Sequence, residues 1–161
     1  MATGRDNRAL ARLALIITLF VGAEFAADAP LRPVTVCEIL AQPAQYEGAA
    51  IPVLGKFSFR AAAGRFIAED GCDSKPASMS LRVEFDAKGA PKPPGVLEVE
   101  AAALNRKLED VKRRTPLGKF RFGSLDYDRW AVVYGRVEIA RATPARLVCR
   151  GEAAIVFIPE E

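Results

Sequence analysis

The 161-residue chain contains no histidine. That absence removes Ser-His-Asp and Cys-His nucleophile pairs, histidine-ligated zinc and the commonest general base near neutral pH. Cysteine is scarce at three residues, Cys37, Cys72 and Cys149, and no two of them form a C-x-x-C pair. The glycine-rich loop that cradles phosphates is missing too. No metal-ligand spacing takes its place: Glu69, Asp70 and Asp73 cluster in "EDGCD", but a calcium site needs about six to eight oxygen ligands, and these three lack the EF-hand spacing. The expectation is therefore a non-enzyme with no catalytic residue, cofactor or metal. A surplus of charge is also lacking. The formal net charge is +3, and without residues 1–23 it falls to about +1. Net charge alone thus predicts no strong attraction to nucleic acid or anionic membrane.

Residues 1–23 read as a signal peptide. Arg5, Arg8 and Arg12 form a basic head, followed by the apolar stretch Leu13–Val21 and small residues after it. Nine residues are too few to span a bilayer, which takes about 20. Cleavage is expected after Ala23, or as late as Ala29. The protein is thus expected to be periplasmic or secreted, the alternative being inner-membrane anchoring by an uncleaved signal. In an oxidising compartment three cysteines suggest one disulfide and one odd thiol. The expected pair is Cys37–Cys72. Cys72–Cys149 and free or intermolecular thiols are the alternatives.

The remainder is long enough for one domain, residues 34–158. Thr35 and Glu38 form a T-x-x-E capping box, and Pro43 and Gly48 close a short helical pair. "AIPVLGKFSFR" alternates with period 2, and Gly55 suggests a bend. "RFIAED" and "MSLRVEF" read as two more strands. "DAKGAPKPPG" reads as a stiff exposed linker. Leu97, Ala101, Leu104, Leu108 and Val111 then recur at helical spacing. Glu109 with Arg113, and Asp110 with Arg114, are expected as i,i+4 ion pairs. "YDRWAVVYGRVEIA" is the longest strand signal, and "RLVCRGEAAIVFI" returns with a break at Gly151. Strand-strand-strand-helix-strand-strand is the order of the OB-fold. The expected fold class is mainly β with minor α: a five-stranded OB-like Greek-key barrel, a helix between strands three and four, and a helical lead. An open α+β sheet is the alternative.

Three segments carry a resemblance: "CEILAQPAQYEGAAIPVLGKF", "EDGCD" and "WAVVYGRVEI". With them the chain resembles exported bacterial OB-fold proteins of unknown function over most of residues 34–158. The resemblance implies the fold and a place in the cell envelope, and carries over no catalytic residue.

Cys37 near a helix N-terminus has a reactive reading, but no base is available to activate it, so the clamp is favoured. "GKFRFGSLDYDRW" interleaves basic and aromatic residues, a pattern that clamps single-stranded nucleic acid or merely covers a barrel end. On the OB ligand surface the sequence places Arg60, Arg65, Arg82, Glu84, Arg141 and Arg146, a modestly basic rim. The expected function is an exported, non-enzymatic binding or interaction domain for a protein, glycan or lipid head group in the envelope. The alternative is a single-stranded nucleic-acid-binding OB-fold protein.

Overall fold

The structure, a computed structural model, describes residues 29–73, 80–95, 97–119, 122–139 and 144–160. The expected signal segment and Arg141 lie outside the described residues. In chain order the elements are β1 (Val34–Thr35), α1 (Val36–Ala41), α2 (Pro43–Tyr46), β2 (Ala50–Arg60), β3 (Gly64–Ala68) and β4 (Ser80–Phe85). Then come α3 (Ala101–Arg114), β5 (Tyr127–Glu138), β6 (Arg146–Cys149) and β7 (Ile155–Phe157).

Neighbouring strands run β2-β3-β4-β6-β5, and β5 pairs again with β2, closing a five-stranded OB-like barrel. The β4–β6 pair is parallel and the other four contacts of the ring are antiparallel. The two longest alternating segments make the longest contact: Ala50 pairs with Arg136 and the register runs on to Phe59 opposite Tyr127. The remaining edge of β2 is filled by β1, which pairs in parallel at Val53 and Leu54.

Glycine at two matching strand positions is required by close approach. A Cβ at Gly55 would lie 2.9 Å from both the Ala68 carbonyl oxygen and Ile67 Cγ1. At Gly135 it would lie 2.7 Å from Cys149 Sγ and 2.8 Å from the Val148 carbonyl oxygen. Both strands therefore bend tightly over their neighbours, as a small closed barrel demands. Gly151, with φ +64°, breaks the last strand signal into β6, a 3₁₀ turn at Glu152–Ala154 and β7.

Two cores result. Inside the barrel, Val53, Phe57, Ile67, Leu81, Val133 and Leu147 pack together, and α1 plugs one end with the fully buried Val36 and Ile39. Outside it, α3 lays Leu108 and Val111 against Leu54, Trp130 and Val132 on the outer face of β2 and β5. Strand β2 is thus buried on both faces. The capping box of α1 forms as the sequence predicts: Thr35 Oγ1 accepts the Glu38 N–H, and Glu38 accepts the Thr35 N–H at 2.7 Å.

The charge ladder of α3 departs from expectation. Arg113 pairs with Asp110, one residue closer than Glu109, and Arg114 reaches off the helix to meet Glu69. A wholly buried carboxylate is the stronger partner because it lacks water. The proline-rich segment expected as a stiff exposed linker is tied to the barrel by Arg136, which donates to the Gly89 and Lys88 carbonyls.

Candidate binding surface at the aromatic end of the barrel

Cys37 and Cys72 are joined in a disulfide, with Cα atoms 5.2 Å apart. The neighbouring Glu69 side chain is wholly buried. Its Oε2 accepts the Cys37 N–H at 2.8 Å, and its Oε1 accepts Arg114 at 2.6 Å. The two sulfurs and this carboxylate lie within 4.8 Å of one another. The sulfurs are spent on each other, however, so the cluster is a clamp between the helical lead, the end of β3 and α3. Burial pushes the thiol of Cys149 up to about 12, leaving it a neutral, inert core group.

The expected rim residues divide into three environments. Arg82, Glu84 and Arg146 sit on the outer face of β4 and β6, where Arg146 bridges Glu84 at 3.3 Å and Glu138 at 2.7 Å. Arg136 extends the row by pairing with Glu138. Arg146 pairs with glutamates of both neighbouring strands, while Arg82–Glu84 and Arg136–Glu138 pair within their own strands, so each of these charges has a partner although the three arginines outnumber the two glutamates.

Arg60 lies elsewhere, at the barrel end opposite α1. It donates to Asp128 Oδ1 at 2.7 Å and to the Tyr127 carbonyl at 3.0 Å. The Asp128 side chain is only 3% exposed. Burial acts to raise its pKa, but hydrogen bonds from Ser58, Arg60 and the Gly118 N–H, with the Arg60 charge, outweigh it and hold the carboxyl below its ordinary value. Arg60, Gly118 and Asp128 line a cleft of about 640 Å³ together with Lys119, Asp126, Tyr127 and Glu160.

Arg65 occupies a third setting. In the pairing register it stands opposite Phe59 and Val83, so it shares the inward face of the barrel at its end. Its guanidinium lies 4.7 Å from the Phe85 ring centre and 5.5 Å from that of Phe59. Phe59 stacks on Tyr127 at 5.6 Å, Tyr127 neighbours Phe57 at 6.3 Å, and Phe57 meets Phe157 edge-on at 5.8 Å. Arg129 then lies 5.6 Å over the Phe157 ring. Six side chains thus run continuously from one guanidinium to the other, with Phe85 on the far contact of Arg65. Among the described residues neither Arg65 nor Arg129 has a carboxylate partner. Stacking satisfies the faces of a guanidinium but leaves the donors on its edge available.

The same end gathers the exposed apolar surface. Among the described residues the exposed large hydrophobics are Phe122, Leu125, Tyr127, Val156 and Phe157, from two segments that flank the start of β5. Phe122 is fully exposed and Leu125 is 77% exposed. The "GKFRFGSLDYDRW" stretch therefore serves several ends: Trp130 is buried under α3, Tyr127 joins the stack and Phe122 stands in solvent. Phe120 and Arg121 lie outside the described residues. Sequence reasoning placed Arg60 and Arg65 on the rim and Arg129 in the basic-aromatic stretch, but did not join them through Phe59, Phe85 and Phe157. Their signal was the register of distant strands, which no local pattern carries.

No family model, curated protein or solved structure matches the chain. No helix among the described residues is long and apolar enough to cross a membrane.

Proposed function

We propose that this protein is an exported, non-enzymatic binding domain of the cell envelope, one of the exported bacterial OB-fold proteins that its sequence resembles, and that it binds through the aromatic end of its barrel. The observation that carries this reading is the pair of ring-stacked guanidiniums, Arg65 and Arg129, with no carboxylate partner among the described residues. A charged group held in place by aromatic contacts, with its donors left open, is suited to an anionic group on a ligand. The exposed apolar side chains beside it supply contact area.

A non-catalytic role is supported by how the reactive groups are engaged. Asp128 is locked by three donors, Glu69 by Arg114 and the Cys37 N–H, and the one thiol outside the disulfide is buried and neutral. Export is supported by the disulfide together with the basic-apolar N-terminal sequence. The ligand is a protein, glycan or lipid head group carrying negative charge. Single-stranded nucleic acid is the second reading, favoured by Tyr127 and Phe157, partly exposed rings beside Arg129 on which bases could stack.

A pull-down from the cell envelope under non-reducing conditions tests the proposal and reports the thiol state together with the partners. Specific recovery of an envelope component supports it. Retention of single-stranded nucleic acid alone, weakening steeply with salt, transfers the site to the second reading.

A further inference from the structure

The aromatic end is also where the sheet has a free edge. β7 is the last strand in the sheet order and, among the described residues, pairs only with β5. The Ile158 N–H donates to the Trp130 carbonyl at 2.9 Å, and Val156 stands opposite Val132 two residues earlier. In an antiparallel ladder such hydrogen-bonded pairs alternate with unbonded ones. Phe157, opposite Ala131, is therefore unbonded to β5, and its backbone N–H and C=O point away from that strand. Beside this edge stands the Phe157 ring with Arg129 over it, and across the barrel end stands Arg65 between Phe59 and Phe85.

We infer that this edge receives an extended, acidic peptide segment of a partner protein, which adds a strand to β7 and places carboxylates on Arg129 and Arg65. This rests on the binding function proposed above and names the chemistry of its ligand. Strand addition supplies backbone hydrogen bonds that a glycan or lipid head group cannot, and alternate side chains of the added strand reach the aromatic row. Charge complementarity selects the acidic sequence, because both cations of the row lack a carboxylate partner among the described residues. The chain's own continuation past β7 offers a small precedent: Glu160 lines the same cleft as Arg60 and Lys119. A second copy of the protein fits poorly, since apposing two β7 edges would bring like charges together.

The test uses the full chain and a fluorescein-labelled heptapeptide alternating valine and glutamate, read by anisotropy. Three further probes accompany it: the glutamine counterpart, the glutamate peptide N-methylated at alternate residues, and labelled oligo-dT. The glutamate peptide is expected to bind, and the glutamine and N-methyl forms at least about ten-fold more weakly. Arg65→Met and Arg129→Met, which keep a stem against the rings, are each expected to weaken it by a similar factor. No binding at millimolar peptide, or equal binding of the N-methyl form, overturns strand addition. Equal binding of the glutamine peptide overturns the carboxylate assignment, and tighter binding of oligo-dT overturns the peptide. A concentration-dependent dimer that the arginine variants leave intact gives the edge to a second copy and overturns the inference. In each of these cases an envelope ligand recovered by pull-down would leave the general binding role standing, so the two failures are distinguishable.

Discussion

Glu69 and Arg114 form an ion pair at 2.6 Å in which the carboxylate is wholly buried and the guanidinium is partly exposed. The two ends of this pair are not equivalent. Removing the arginine strands a charge without water, whereas removing the charge on Glu69 leaves an arginine that can hydrate. Arg114→Ala is therefore expected to destabilise by about 2–3 kcal/mol, and Glu69→Gln by less. Urea unfolding of the two variants measures the order, and the reverse order would show that the pair does not carry the corner.

The disulfide closes a loop of 35 residues between the helical lead and the end of β3. Cys37→Ser is expected to cost about 3–4 kcal/mol, chiefly by freeing the unfolded chain. Denaturant titration with and without reductant checks this, and non-reducing peptide mapping should leave Cys149 as the single alkylatable thiol once the protein is unfolded.

Gly55 and Gly135 tolerate no side chain, because each would drive a Cβ into both a neighbouring carbonyl and a core side chain. Alanine at either position is expected to cost about 2–3 kcal/mol, the upper end of overpacking, since backbone must shift. Thermal unfolding of the two single variants measures it. A loss under about 0.5 kcal/mol, as at an ordinary surface site, would contradict the close approach.

Asp128 links stability to pH. Its folded pKa lies below the ordinary 3.8, so its contribution is present above that value and is lost as pH falls through the lower, folded value. Asp128→Asn is expected to cost about 1–2 kcal/mol at pH 7, and the gap from the wild type should narrow toward pH 3. Unfolding at the two pH values provides the comparison, and a gap that widened in acid would reverse the assigned sign.

Local chemistry made much of the fold legible. Thr35 and Glu38 announce a capped helix, Gly55 and Gly135 mark the bends, and Gly151 marks the break between β6 and β7. The order of strands and helix pointed to the barrel. What the sequence hid was long-range. Leu54 and Trp130 read as alternating strand positions, yet they are buried on the outer face because α3, from between β4 and β5, covers it. The i,i+4 pattern predicted partners for Arg114 within its own helix, but a desolvated carboxylate 45 residues away won. The rim was only half legible for the same reason. Arg146 looks free in sequence but is paired across strands with Glu84 and Glu138, while the stack from Arg65 to Arg129 exists only once β3, β2, β5 and β7 are in register.

The most direct measurement of the central claim compares the wild-type chain with an Arg65→Met/Arg129→Met variant of matched melting temperature in the envelope pull-down. Binding through the aromatic end predicts that the component retained by the wild type is lost from the variant. Equal recovery by both chains would place the interaction elsewhere and contradict the account.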